Sequence, residues 1–374
     1  MTVRHFNLCF LGYGNVNRTL VRLLEEKREE LRDRYNVSFR ITGIASRRLG
    51  WLADPNGLDP EKCGAGALAR ANAESGSEST EPTFSESTAM PDAVLSARAG
   101  APAPHKNVGE WLSAARADIL FEATSLNVDN GQPAVDHIRA ALAHGAHAIT
   151  ANKGPIVHAY RELRDLAVKQ NKKFLFESTV MDGVPVFSLF DQLPVVHLQG
   201  FHGILNSTTN VILAEMEEGL TFDEALKKAQ ALGVAETDAT QDIDGWDAAV
   251  KTAALINVLM VSGENDAPIR LDQIARDGIR DLTPQAIRNA KRDGWRFKLV
   301  CRAKRIGNTV QASVQPEKVV LTQPMAKITG TTSYIYFETD IFPGLAITEE
   351  NPGLYATAYG LLADFIRIAR PESL

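Results

Sequence analysis

"HFNLCFLGYGNVNRTL", residues 5–20, decides how the amino-terminal part of this chain folds. Its apolar run is too short for a helix and stops at Gly12. A run of this kind bounded by glycine reads as a strand buried on both faces, the habit of parallel sheets. Residues 15–34 then read as a helix, and "VSFRITGIAS" (37–46) as a second strand. Gly12 would make the tight turn, and Gly14 would let the backbone approach a phosphate. The helix start at Asn15 and Val16 would offer unpaired N–H groups to it. The pattern predicts a dinucleotide site, and a plain strand–turn–helix has the same appearance. Where a third glycine is usual, Asn17 stands, which should loosen the helix–strand packing.

Outward from this stretch the alternation continues. "ADILFEATS" (117–125), "HAITANK" (147–153) and "KKFLFEST" (172–179) read as strands, with helices over 133–144 and about 158–170. The prediction is an α/β fold with a Rossmann-like, doubly wound parallel sheet. Between about Asp54 and Asn107 the chain turns to Ala, Gly, Ser, Pro, Glu and Thr. Such a segment buries little apolar surface against its ordering entropy, so a mobile insertion is expected there. Beyond Pro185 the pattern changes to that of a second, α+β domain. "FHGIL" reads as a strand, and helices follow at about 207–218, 222–232 and 246–260, the middle one opened by a Thr221–Glu224 capping box. "RFKLVCRAKRIGNTVQASVQ" reads as two antiparallel strands around Gly307-Asn308, and "TSYIYFET" as a third. "YATAYGLLADFIRIA" is an amphipathic helix expected to return to the first domain. The expected units are 1–153, 154–340 and 341–374.

The composition bounds the function. In 374 residues, 44% are hydrophobic and 23% charged, with a net charge of −6. That balance gives no footprint for nucleic acid. No uncharged apolar run approaches a membrane span, and the start of the chain does not read as a signal peptide. Cys9, Cys63 and Cys301 lie far apart with no metal-type spacing, which fits a reducing cytoplasm. His144, His147 and His202 likewise have no ligand spacing and read as structural. A small-molecule substrate is the expectation.

Two further stretches carry chemistry. The second strand ends "GIASRR". A carboxylate at this strand end usually holds the ribose of NAD(H), whereas Ser46, Arg47 and Arg48 suit a 2′-phosphate and favour NADP(H). NAD(H) stays open, since two exposed arginines can simply begin a loop. In "DIDGWDAAVKTAALINVLM" (242–260), Asp247 and Lys251 lie four apart on an otherwise apolar helix, for which Asp244 is placed to be the N-cap. An exposed ion pair of this spacing is common. Within apolar surroundings a buried pair is costly to keep, and a use for it is expected.

With these residues in view, the chain resembles homoserine dehydrogenases. The resemblance rests on "GILNSTTNVILAEMEEGLTFDEALKKAQALGVAETDATQDIDGWDAAVK" (203–251), with "TANKGP" (150–155) and "FESTVMDGVP" (176–185). It implies that Lys251 donates a proton to the substrate oxygen and that Lys153 stands beside the nicotinamide and the reacting carbon. Glu236 and Asp247 would bind the amino-acid part of the substrate, and Thr124, Ser125, Gly233 and Gly353 would touch the cofactor. It also implies a sodium-type cation held by Glu177 with the carbonyls of Val180, Asp182 and Val184. The second domain would be catalytic and would form a homodimer through its sheet. No regulatory or kinase domain is expected.

The implied reaction interconverts L-homoserine and L-aspartate 4-semialdehyde, on the route to threonine, methionine and isoleucine. A neighbouring cation and partial burial should lower the Lys251 pKa. Ser207 and "EENPG" (349–353) depart from the family's glycine-rich pattern. They keep open another small hydroxy- or oxo-amino acid as substrate, or a non-catalytic NADP(H)-binding sensor.

Overall fold

The computed structural model describes residues 2–63, 107–261 and 266–370. Residues 64–106, most of the expected insertion, lie outside them. The first sheet is built from β1 (Arg4–Leu11), β2 (Val37–Ser46), β3 (Gly50–Ala53), β4 (Ile119–Glu122), β5 (His147–Thr150) and β6 (Phe174–Leu175), in the order β3-β2-β1-β4-β5-β6. Every pair is parallel except β2 with the short hairpin strand β3. β1 alternates between two buried layers: Leu8 and Phe10 pack on one face, Cys9 and Leu11 on the other. The expectation of a doubly wound parallel sheet is met. The boundary expected at 153 falls inside this sheet's last crossover, because the sheet runs on to Leu175.

The connecting helices are α1 (Asn15–Glu26), α2 (Arg28–Tyr35), α3 (Val108–Ala115), α4 (Ala134–His144) and α5 (Gly154–Lys169). The single helix read over 15–34 is broken at Lys27, where φ is −97° and ψ 5°. The stretch "EEKREE" has no apolar stripe to hold it to the sheet; after the break only Leu31 of α2 is buried. The strand read over 172–179 pairs only at Phe174–Leu175, then winds into a short 3-10 turn at Glu177–Thr179.

The second sheet runs β12-β11-β7-β9-β10-β8. Its strands are β7 (Leu198–Ile204), β8 (Ala275–Arg276), β9 (Trp295–Ile306), β10 (Thr309–Val320), β11 (Ser333–Thr339) and β12 (Leu345–Glu349). The β9–β10 hairpin closes at Gly307-Asn308, with Gly307 at φ +59° in the first turn position. The helices of this part are α6 (Phe187–Asp191), α7 (Ser207–Glu217), α8 (Phe222–Ala231), α9 (Thr240–Ile243), α10 (Trp246–Leu255) and α11 (Pro284–Arg292). The capping box of α8 forms as read, from both Thr221 and Glu224. The last helix, α12 (Leu354–Ala369), lays Leu361 and Phe365 into the apolar layer of Phe10, Leu20 and Phe121 on the first sheet. Among the described residues, no helix is long and apolar enough to cross a membrane.

Candidate active site

The carboxyl ends of β1, β2, β4 and β5 meet along one edge of the first sheet, the edge where open α/β sheets bind ligands. Gly12 ends β1 at φ +83°, and a Cβ there would lie 2.5 Å from the Ala123 carbonyl oxygen. Gly14 is the N-cap of α1, with nothing within 4 Å of where its Cβ would be. Among the described residues no side chain caps α1 and no acid lies in its first turn, where Asn15 is exposed. An open glycine cradle and an uncapped helix start fit a dinucleotide pyrophosphate. Asn17 corrects the expectation of loose packing. It is fully buried, and its Nδ2 donates to the carbonyls of Leu11 (3.2 Å) and Gly12 (3.1 Å), pinning helix to strand.

At β4 and β5 the edge is a buried polar network. Thr150 Oγ1 donates to Glu122 Oε2 at 2.8 Å, and the Thr124 N–H and hydroxyl both donate to Glu122 Oε1. Asn152 Nδ2 holds the carbonyls of Thr124 (3.0 Å) and Ser125 (3.3 Å). This fixes the turn that delivers Lys153 to the head of α5.

Lys153 meets the opening of α10. Its Nζ lies 3.2 Å from Asp247 Oδ1, and Lys251 Nζ lies 3.2 Å from Asp247 Oδ2. Lys251 also donates to the Leu205 carbonyl at 2.7 Å. Asn206 Nδ2 bridges Asp242 Oδ1 (2.6 Å) and Asp247 Oδ2 (3.1 Å). The side chains of Lys153, Asp247 and Lys251 are 19%, 19% and 18% exposed, buried enough to be weakly screened and open enough for a small ligand. Burial would raise the Asp247 carboxyl, but the ammonium groups of Lys251 and Lys153 and the Asn206 amide hold it below its ordinary range. For Lys251, burial lowers the pKa, and the carboxylates of Asp247 and Asp182 outweigh it, so it stands above the ordinary lysine value. The expected downward shift is therefore corrected: its nearest charges are acids. Asp242 is pushed up by burial and by Asp247.

The family model for homoserine dehydrogenase matches residues 185–366, and that for the homoserine dehydrogenase NAD-binding domain matches residues 12–177. An NAD(+)-dependent homoserine dehydrogenase of Pseudomonas canavaninivorans is 35% identical over 97% of this chain and 96% of its own length. The chain belongs to the homoserine dehydrogenase family. A homoserine dehydrogenase of Methanocaldococcus jannaschii is 30% identical over 97% of this chain and 98% of its own. A hyperthermophilic archaeal homoserine dehydrogenase solved with NADPH shares the fold, with a TM-score of 0.73 at 24% identity over 98% of both chains. As a homoserine dehydrogenase this chain is an oxidoreductase with a nicotinamide cofactor, and homoserine and aspartate 4-semialdehyde are its substrate pair.

Within this homoserine dehydrogenase the remaining expected residues lie on the β2–β3 turn, in the loop after α8 and at the start of α12. Ser46 Oγ accepts from the Leu49 N–H at 3.1 Å, and Arg47 and Arg48 are exposed on the β2–β3 turn. Gly233, at φ +71°, ends α8: its N–H reaches the Gln230 carbonyl (2.9 Å) and that of Val234 reaches Ala229 (3.0 Å), a paired ending that favours glycine by itself. Glu236 is exposed in the following loop. Gly353 is the extended N-cap of α12, with open space where a Cβ would stand. Asp244 is not the side-chain N-cap of α10: Gly245 takes that place at φ +79°, and the Asp244 carboxylate pairs with Arg280 at 3.0 Å.

The loop expected to hold a cation is engaged with protein. Glu177 Oε1 accepts from the Phe187 N–H (2.7 Å) and Oε2 from the Ser188 N–H (2.9 Å), with Arg367 at 3.5 Å. The Val184 carbonyl accepts from the Val186 N–H at 2.8 Å. Val180 is buried, and Asp182 stands at φ +44° with its carboxylate accepting from Thr357 Oγ1 at 2.5 Å. Sequence reasoning missed Asn206, Asp242 and the Asp182 side chain as parts of the site. Asn206 had a signal, because it precedes "STT" as the N-cap of α7.

Proposed function

We propose that Lys251 exchanges the proton of the reacting oxygen, that Asp247 orients both lysines, and that Lys153 holds the reacting end of the substrate beside the cofactor. The single observation that carries this reading is the row Lys153–Asp247–Lys251, two ammonium groups 3.2 Å from the two oxygens of one carboxylate. When bound, the nicotinamide supplies hydride to the aldehyde carbon or accepts it from homoserine. In reduction, the Lys251 ammonium gives a proton to the oxygen as negative charge grows there. In oxidation, neutral Lys251 takes the hydroxyl proton. Because its pKa is raised, the neutral form grows in as the pH rises, and oxidation should gain rate in alkali. Thr124, Ser125, Gly12, Gly14, Asn15, Val16, Gly233 and Gly353 would hold the cofactor, and Glu236 would bind the amino-acid part of the substrate.

The finer assignments rest on particular residues. Arg47 and Arg48, with Ser46 in place of an acid, support NADP(H) over NAD(H). Glu177 and the carbonyls of Val180, Asp182 and Val184 would hold a monovalent cation, since each Glu177 oxygen and the Val184 carbonyl accept one N–H and keep a second lone pair; no step is routed through it. A homodimer through the second sheet is supported by the partly exposed polar patch on it, where His202 stacks on Tyr336 at 4.9 Å and Arg302 pairs with Glu317 at 2.8 Å. The unpaired thiols of Cys9, Cys63 and Cys301 support a cytoplasmic setting.

The test is cofactor reduction with L-homoserine in alkali, with NADP and NAD compared and sodium exchanged for choline. NADP is expected to be preferred, and the Arg47→Ala, Arg48→Ala double variant to narrow the ratio. A lower rate in choline would support the cation, and an unchanged rate would remove it. A folded, cofactor-binding Lys251→Ala that kept the wild-type rate would remove the proposed role.

A further inference from the structure

A second cleft, of about 750 Å³, opens where the free edge of the first sheet faces the second. Small-molecule sites usually measure roughly 300–1,000 Å³. Its walls come from α5, the edge strand β6, the chain leading into β7 and the end of β9. Lys153, Asp247, Lys251 and the glycine turn lie outside it. The lining is aromatic: Phe174, Phe176 and Phe187 stand in a row, with ring centroids 5.2 and 4.9 Å apart. The charges around these rings do not balance. Asp191 and Glu177 both face Arg367, Glu177 at 3.5 Å, and Arg164 pairs with Asp165 at 2.8 Å. Lys172 enters from the first sheet's side and Arg305 from the second's, each half-buried. Among the described residues neither of these two has a carboxylate partner, and Arg305 donates only to the Met260 carbonyl. Val195, also in the lining, is 87% exposed yet held at φ +59°. β-branched side chains avoid that region, and an exposed one is not repaid by packing. Strain of this kind collects at ligand clamps.

An aromatic interior with two unmatched cations calls for a ligand of complementary build. We propose that this cleft binds a small organic anion, a carboxylate on an aromatic body, at a site separate from the reaction. The ring replaces water against the phenylalanines. The carboxylate accepts charge-assisted hydrogen bonds from Lys172 and Arg305, which half-burial otherwise leaves without a counter-charge. A bare anion would fill only the rim, and an uncharged ring only the interior. The dimer expected through the second sheet leaves this site open. On β9, Arg302 belongs to the outer patch, and Arg305, an odd number of residues further, points to the opposite face, towards Met260.

The test uses the full chain with NADPH at saturation, so that the dinucleotide site is filled. Three probes are titrated by calorimetry: 3-phenylpropionate, 3-phenylpropanol, which lacks the charge, and propionate, which lacks the ring. 3-Phenylpropionate should bind once per chain, about tenfold or more tighter than either control. Lys172→Glu should weaken it about 10- to 100-fold, the range for a hydrogen bond to a charged group, and Lys172→Arg should keep most of the affinity. Val168 lines the same cleft and is 74% exposed, so Val168→Glu adds a repelling charge without removing a cation and should weaken the probe as well. Both positions are at the surface, and thermal melts confirm the fold; should one variant not fold, the other decides. Homoserine kcat and KM should stay at wild-type values in all three variants, and homoserine should not displace the probe. The proposal is overturned by a wild type without saturable binding, or by equal affinity for either control. It is overturned equally by full affinity in Lys172→Glu or Val168→Glu, or by displacement with homoserine, which would place the probe in the active site.

Discussion

The two ends of this active site are built in opposite ways. The cofactor end is mostly backbone: Gly12 at φ +83°, Gly14 and the open start of α1 lie within a few residues of one another. The proposed substrate end is all side chain, drawn from three distant stretches: Lys153, Asn206, and Asp247 with Lys251. A backbone cradle needs the right turn and little else. A charged cluster needs every member, because each is stabilised by the others against its own burial. The two ends should therefore fail differently when cut.

The largest effect is expected at Lys251. Losing a positioned acid–base group costs typically 10²–10⁴-fold in rate, so Lys251→Ala should lose about that in kcat while cofactor affinity holds. A matching loss of cofactor affinity would show that the two ends are one unit. Asp247→Asn should come next, mainly in stability. Removing one partner of a buried pair costs about 3–5 kcal/mol, and here two ammonium groups lose their carboxylate. The sign with pH follows from the depressed carboxyl of Asp247. Its contribution is complete above the unfolded carboxyl value of about 4 and fades as the pH falls through the lower folded value. Denaturant melts of wild type and Asp247→Asn should thus converge in acid; a constant gap down to the lowest pH would contradict this.

That asymmetry also governs what could be read from the sequence. The strand, turn and helix of residues 5–26 were legible because every determinant is local, and so was the hairpin at Gly307. Lys251 and Asp247 were visible as a charged pair on an apolar helix. Their third member, Lys153, comes from the end of β5, and only the folded sheet brings it to 3.2 Å. The direction of the Lys251 shift runs against the sequence reading because Asp247 on its own helix outweighs burial, with Asp182 adding to it through tertiary packing.

At the cofactor end, Gly12→Ala should cost about 2–3 kcal/mol, since the new Cβ meets a carbonyl oxygen at 2.5 Å on a backbone that disfavours side chains. Cofactor affinity should fall with it, and the homoserine KM at saturating cofactor should stay.

The smallest effect should come from restoring the family's third glycine. Asn17→Gly removes two hydrogen bonds, to Leu11 and Gly12, each worth about 1 kcal/mol net. Asparagine is itself a weak helix former, so glycine in its place costs only about 0.3 kcal/mol more. Against this, Asn17 Oδ1 is buried with no donor, and deleting such an acceptor returns about 1–3 kcal/mol. The terms nearly cancel, leaving a net change within about 1 kcal/mol of zero, a few degrees at most in Tm for a chain of this size. Asn17→Asp separates the terms, because it keeps the bulk and sets a carboxylate oxygen against two carbonyls. It should destabilise more than glycine does. If glycine proves the worse of the two, the pinning contacts of Asn17 count for little, and its volume alone holds α1 to β1.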